Sequence, residues 1–544
     1  MNNKIELLDC TLRDGAYIVD SKFGTSSIKG IIDKLQKANV DIIECGWLKD
    51  KKHEFGTTFY HVPSDLEQYL ISPKKEGVLY TAMIDYNRYD LNNLPDYDGK
   101  SIDAIRVVFP REAFKTGIAL GEIIKSKGYK VMFQAANTYG YSDYELLEMV
   151  QEINKAKPSS LSVVDTFGAM YSSDLSHIIS IIDKNLDQGI KLGFHSHNNR
   201  QLSFALSMQF VDMLCHGKRG IVVDSSLCGM GRGAGNTTTE LIADYLNNKH
   251  DASYVMDDIM DAIDMYMGYY LEHFQWGYSI PYMLAGTYCV HVNNIAYLTK
   301  AHRSCAKDMK KVLELLEPEK RTVYDYDNLE RVFVVYQSRK VDDEATLQEI
   351  GNLVNGKKIL MIAPGKTSEI EQDKIKSYIE AEKPIVISVN AVMQLYPVDA
   401  IFFGNRVRYE YAKTTYANEF KTAKRYVLSN ITQETGENES VINYDRLLKT
   451  GWKHFDNSAI MCLRLLDKFS PNSIAIAGMD GFNEDGNTYF QDNSFQTNLD
   501  RSEKHDINVD MQGMIDDYME TRHSTCPLKI ITSTMFRFHL NSQS

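Results

Sequence analysis

Eight short apolar runs, spaced through the first 225 residues and separated by amphipathic stretches, constrain this chain more than any other feature. They span residues 5–10, 40–45, 78–84, 104–109, 130–135, 160–165, 191–195 and 220–224. Most are near-continuously apolar, which is how strands covered on both faces of a parallel sheet read. Between them, residues 27–38, 144–156, 173–186 and 201–214 repeat apolar residues at helical spacing. Eight strand–helix alternations within about 240 residues predict an α/β fold, a closed (β/α)8 barrel. An open doubly wound sheet is the alternative, but no Gly-rich dinucleotide turn follows the first run.

Polar residues then gather where these runs end. The first leads into Asp9-Cys10-Thr11-Leu12-Arg13-Asp14-Gly15, the second carries Glu44, and the fifth leads to Asn137. The sixth ends in Asp165-Thr166, the seventh in His195-Ser196-His197-Asn198 and the eighth in Asp224-Ser225-Ser226. One such residue is ordinarily a helix cap or a loop group. Six together, on strand ends that a barrel gathers onto one face, predict an active site there.

His195 and His197 stand two apart in an extended segment, so both imidazoles project to one side and can chelate one ion. Asp14 offers a carboxylate from the first strand. Two histidines, an aspartate and water suit Mn2+ or Mg2+, and also Co2+ or Zn2+. Arg13 sets a fixed cation beside them, where an oxyanion can develop, or else forms a structural salt bridge. After the eighth run, Gly229-Met230-Gly231-Arg232-Gly233-Ala234-Gly235-Asn236 combines a glycine-rich turn with Asn236, a candidate ligand or neighbour of the ion.

The Leu12-Arg13-Asp14-Gly15, His195-x-His197-Asn198 and Gly229-x-Gly231-Arg232-Gly233-Ala234-Gly235-Asn236 segments, in that order over roughly residues 4–300, resemble the metal-dependent aldolase/lyase barrel superfamily. That group includes hydroxymethylglutaryl-CoA lyase, the isopropylmalate and homocitrate synthases and 4-hydroxy-2-oxovalerate aldolase, and the aldolase branch is the nearest in motif. The Trp276-Gly277-Tyr278-Ser279-Ile280-Pro281-Tyr282 segment resembles the helical extension after the aldolase barrel. The resemblance implies a divalent metal (Mn2+ or Mg2+) on Asp14, His195 and His197, with Asn236 as a fourth ligand in the lyase branch. It further implies a 2-oxo acid such as pyruvate chelating that metal, Arg13 stabilising its enolate, Thr166 holding its carboxylate, and Glu44 orienting Arg13. The chain departs from the pattern in one place. The aldolase carries a histidine base three residues after the metal aspartate, where this chain has Tyr17. A phenol titrates near 10 and makes a poor base at neutral pH. His291 is the candidate replacement base, and both residues are also candidates for contacting substrate.

Residues 301–355 read as a connector, with an amphipathic helix at 307–319 and a short strand at 332–336. A second α/β domain is expected over 356–544, from apolar strands at 358–363, 384–389, 400–403, 425–428 and 474–477. Its Gly365-Lys366-Thr367 lacks the first glycine of a phosphate loop, whose position is Leu360. Gly365, Thr367, Ser368, Asn390 and Asp480 fall at strand ends, where Rossmann-like domains bind ligands. The start of this domain and its Gly478-x-Asp480 turn resemble sialyltransferase-like and pterin-pyrophosphokinase-like domains, which implies a nucleotide or nucleotide-sugar ligand. An interaction domain without a ligand is the alternative.

With 60 Lys+Arg against 73 Asp+Glu the chain carries a net charge of −13, which disfavours nucleic acid as a partner. No apolar run approaches the roughly 18 residues of a membrane span. The eight cysteines include no CxxC pair, a usage suited to reduced thiols in a cytoplasm. The combined expectation is a cytoplasmic, multidomain, metal-dependent carbon–carbon lyase, with the barrel and extension in residues 1–300. Its substrates would be a 2-oxo acid and an aldehyde or acyl donor, with a homo-oligomer possible in form. The alternatives are an acyl-CoA-dependent Claisen synthase, a bifunctional sugar-pathway protein, and a barrel kept as a scaffold. Ala16-Tyr17, where the synthases have Glu-Gln, counts against the first of these.

Overall fold

In the computed structural model the apolar runs form one closed, all-parallel sheet; the structure describes residues 5–70, 74–300, 304–454, 456–483 and 501–539. The strands are β1 (Ile5–Asp9), β2 (Ile42–Leu48), β3 (Phe59–Tyr60), β4 (Leu79–Asp85), β5 (Ala104–Phe109), β6 (Lys130–Ala135), β7 (Ser160–Asp165), β8 (Lys191–Ser196) and β9 (Ile221–Ser225). Their order is β1-β9-β8-β7-β6-β5-β4-β2-β3, and β1 also pairs with β2, which closes an eight-stranded (β/α)8 barrel. Two-residue β3 lies outside that ring, paired to the end of β2.

Helices cover the outer faces of the strands. Thr25–Lys37 turns Ile28, Ile31, Ile32 and Leu35 fully inward, each worth about 1.5–3 kcal/mol of burial. Asp143–Ala156 opens on a capping box, with Ser142 N donating to Glu145 Oε2 at 2.8 Å.

The barrel interior is layered by the period of two along each strand. Leu8, Ile42, Ala104, Met132 and Val222 form an apolar floor inside the ring. Two residues further along four of these strands come Glu44, Arg106, Gln134 and Asp224, all buried. The same alternation that sends Ile43, Ile105, Phe133 and Val223 outward into the helix-facing core therefore builds a polar layer above the floor.

Residues divide into two compact units, Met1–Ile295 with Pro318–Tyr324, and Ala296–Glu317 with Asp325–Ser544. The second contains a seven-stranded parallel sheet of β10 (Lys358–Ile362), β11 (Ile385–Val389), β12 (Ala400–Phe403), β13 (Lys424–Leu428), β14 (Glu439–Ile442), β15 (Ser473–Ala477) and β16 (Leu528–Ile530). Its order is β14-β13-β12-β11-β10-β15-β16, so the direction of winding reverses between β10 and β15. One expectation is corrected. Residues 332–336 are not a strand but the second half of helix Tyr326–Gln337, which buries Leu329, Val332, Phe333 and Tyr336 at helical spacing. Among the described residues no helix is long and apolar enough to cross a membrane.

Candidate active site and metal centre

The polar layer is an ionic chain. Arg13 Nε donates to Glu44 Oε2 at 2.7 Å, and Arg106 Nη1 donates to the same oxygen at 2.7 Å. Arg106 Nη2 reaches Asp224 Oδ2, and that oxygen lies 3.0 Å from His195 Nδ1. Arg106 is 0% exposed, so its charge depends wholly on these carboxylates. Asp224 would be raised by burial, but Arg106 and then His195 hold it below the usual carboxylate range.

Asp14, at the end of the short helix Thr11–Asp14, brings its carboxylate over this layer. Arg13 Nη1 donates to Asp14 Oδ1 at 2.5 Å and Asn236 Nδ2 to Asp14 Oδ2 at 2.7 Å. Burial works against ionisation of Asp14, yet Arg13, His197, His195 and the Asn236 bond together hold its carboxyl well below the usual range. One ligand atom from each of Asp14, His195 and His197 lies within 4.8 Å of the others. The His195 and His197 rings stand 5.1 Å apart at 85°. Burial pushes His197 down to about 4, an effect Asp14 only partly offsets, so a lone pair is available at neutral pH.

This donor set fits a divalent ion. Asp224 engages His195 Nδ1, which leaves Nε2 for an ion, as in the carboxylate–histidine–metal arrangement. Asn236 Oδ1 is buried without a hydrogen-bond partner among the described residues, an atom that a cation beside Asp14 would satisfy. The approach of Asn236 to Asp14 depends on Gly231, where a Cβ would stand 2.3 Å from Asn236 Nδ2 and 2.5 Å from Asp14 Oδ2.

A cavity of about 330 Å³ opens over the cluster, lined by Arg13, Asp14, Tyr17, Trp47, Gln134, Thr166, His195, His197, Arg232 and His291 among others. Thr166 Oγ1 accepts from Asn137 N at 2.7 Å. Asp165 is spent locally, taking the N–H groups of Ala169 and Met170. Tyr17 is 48% exposed at the mouth, and desolvation, only partly countered by Arg232, pushes its phenol up. His291 is pushed down to about 3 by burial and by Arg232, whose Nη2 lies 3.0 Å from His291 Nε2. Arg13, Asp14, Tyr17, Thr166, His195, His197 and His291 thus meet at this cavity, whereas Glu44, Asn236 and the strand-end residues Asn137, Asp165 and Asp224 are not among its lining. The sequence pattern assigns no role to Arg106, to Asp224 as the partner of His195, or to Arg232. Each left a trace: Arg106 and Asp224 are charges inside apolar strands, and Arg232 is a charge between glycines.

In the second unit, Gly365, Thr367, Ser368 and Asp480 converge at the ends of β10 and β15, the point where the winding reverses. Asp480 accepts from Thr367 N at 2.7 Å and from the Thr367 hydroxyl, while Gly365 N donates to Gly478 O at 2.8 Å. Ser368 Oγ turns back to Gly365 O at 2.7 Å. Asn390, after β11, instead accepts from Gly404 N and Asn405 N, tying β11 to the end of β12.

Parts of the chain are similar to known proteins. Residues 108–265 match the family described as HMGL-like. The chain is similar to the oxaloacetate decarboxylase of Mycobacterium tuberculosis, 25% identical over 47% of this chain and 74% of that one. It is likewise similar to 4-hydroxy-2-oxovalerate aldolase 2 of Salinispora arenicola, 27% identical over 50% of this chain and 77% of that one. Among solved structures, the HMG-CoA lyase of Bacillus subtilis matches at 14% identity and a TM-score of 0.38, over 48% of this chain and 92% of that one. The HMGL-like match is confined to residues 108–265, and the protein is an enzyme.

Proposed function

We propose that the barrel is a divalent-metal-dependent carbon–carbon lyase that forms or cleaves the bond next to a 2-oxo acid, pyruvate being the simplest, through its enolate. The observation that carries this reading is the meeting of Asp14, His195 and His197 within 4.8 Å beneath a small cavity that Arg13 lines. Mn2+ or Mg2+ on these residues and Asn236 would supply Lewis-acid polarisation of the 2-oxo acid.

The chain's own groups do the rest. Arg13, held at Nε by Glu44 and at Nη1 by Asp14, presents a fixed positive charge where enolate oxygen charge grows, at no cost of reorganisation. Thr166, oriented by Asn137 N, can donate its hydroxyl proton to a carboxylate. Tyr17, with its phenol pushed up, keeps its proton at neutral pH and serves as a donor to an aldehyde oxygen. Similarity to an oxaloacetate decarboxylase favours a second reading, in which a 2-oxo diacid loses carbon dioxide through the same enolate.

Exchange of the pyruvate methyl protons in deuterated buffer with Mn2+ tests the reading without knowledge of the second substrate. Exchange with about one ion per chain is expected, falling at least about 100-fold in Asp14→Ala and His195→Ala. No exchange, or exchange that survives both substitutions, would overturn it.

A further inference from the structure

Three arginines line the cavity, and two of them are ion-paired. Arg13 meets Asp14 and Glu44, and Arg88 Nε lies 3.4 Å from Asp85. Arg232 is different. Its backbone N–H donates to Asp14 Oδ2 at 3.3 Å, but its guanidinium meets only neutral groups among the described residues. These are His291 Nε2 at 3.0 Å, Asn293 Oδ1 at 3.0 Å, and the face of Tyr17 with 4.7 Å between guanidinium carbon and ring centroid. Only Nη2 makes the two hydrogen bonds, and a guanidinium has five N–H donors. His291 stays neutral, pushed down to about 3, so it braces the guanidinium without adding a second charge. A half-buried cation with neutral partners in a concave mouth favours a carboxylate or phosphate as its counter-ion. Arg232 reaches Asp14 through its backbone and lines the same cavity as His195 and His197, which sets such an anion within one small molecule's length of the Asp14–His195–His197 cluster.

We propose that Arg232, braced by His291 and Asn293, binds a carboxylate or phosphate on the electrophilic partner of the 2-oxo acid, so that the second substrate is an anionic aldehyde. This rests on the enolate reading above. In the step itself the methyl carbon of the 2-oxo acid loses a proton and bonds to the aldehyde carbon. The aldehyde oxygen takes up a proton, and nothing is oxidised or reduced.

The test is a ratio. With pyruvate and Mn2+, kcat/KM is measured for propionaldehyde, for glyoxylate and succinic semialdehyde, and for glyceraldehyde 3-phosphate. At least one anionic class should exceed the neutral aldehyde by about 30- to 100-fold, and the arms separate carboxylate from phosphate. Arg232→Ala should collapse that ratio to within about threefold and Arg232→Lys should keep part of it; the ratio divides out any change in the enolate half-reaction. A wild-type ratio near one, or a ratio that survives Arg232→Ala, overturns the proposal. Calorimetric titration with inorganic phosphate and with succinate gives a readout free of chemistry. Binding lost in Arg232→Ala and kept in Arg88→Ala is expected, and binding by neither anion, or binding that survives Arg232→Ala, overturns the anion site. Missing deuterium exchange in the wild type with anion binding kept would fail the enolate reading and leave only the anion site, whereas exchange without anion preference would fail this proposal alone.

Discussion

Under the proposed metal reading His195 needs its second ring nitrogen fixed, and Asp224 lies 3.0 Å from that nitrogen. Asp224→Asn should weaken Mn2+ binding by about 10- to 100-fold, as measured by calorimetric titration. At the mouth, Tyr17→Phe should slow aldol turnover by about 100-fold if the phenol donates its proton, with a much smaller effect on pyruvate exchange; equal losses in both assays would count against a donor role. Asp165 allows a test of linkage. Burial raises its carboxyl to about 6 from an ordinary 3.8, so the folded state binds this proton more tightly than the unfolded chain. Its stabilising contribution is full below about pH 4 and is lost as pH rises through about 6, some 3 kcal/mol from a shift of about two pK units. In urea titrations, wild type minus Asp165→Asn should therefore be more favourable near pH 4.5 than near pH 7.5. The His195–His197 pair was legible from spacing because the two residues alternate across the end of β8, His195 within it and His197 just past it. Arg106 was not, because a single arginine within Ala104–Phe109 reads as an exposed strand position until the barrel closes around it.

At the scale of elements, the strands that matched most closely were those covered on both faces. β5, β6 and β7 coincide with the apolar runs at 104–109, 130–135 and 160–165, since burial by helix and barrel interior writes a continuous apolar signal. The four-residue β14, which begins with Glu439, and the three-residue β16, with Lys529 at its centre, carry too little apolar pattern to be seen. The run at 332–336 misled for the opposite reason: five apolar residues in a row fit a strand, but the burial of Leu329, four residues before Phe333, belongs to a helix. The loop after β9 shows how a turn serves the site. Gly231→Ala would push a methyl group between Asn236 and Asp14, so metal affinity should fall by at least about tenfold while the barrel stays folded, as read by Mn2+ titration beside circular dichroism.

For the whole molecule, the two units carry separate cores, one around the barrel and one around the β10–β16 sheet. Asp14, His195 and His197 all belong to the first. In scanning calorimetry Mn2+ at about 100 times its Kd should stabilise the barrel by about 2.7 kcal/mol and shift its transition alone. In the second unit, Asp480 already occupies the N–H and hydroxyl of Thr367, so any ligand of that strand end must displace a carboxylate first. The net charge of −13 says little about either unit's substrate, but the local balance in the polar layer says more. There Asp14, Glu44 and Asp224 face Arg13 and Arg106, three carboxylates against two guanidiniums. Within that layer the sum is one negative charge, which attracts a dication; with the dication in place it becomes one positive charge, which favours the oxo acid. Steady-state kinetics should accordingly show compulsory order, with the metal adding before the oxo acid, and initial-rate patterns at varied Mn2+ and pyruvate would reveal random addition if this balance did not govern entry.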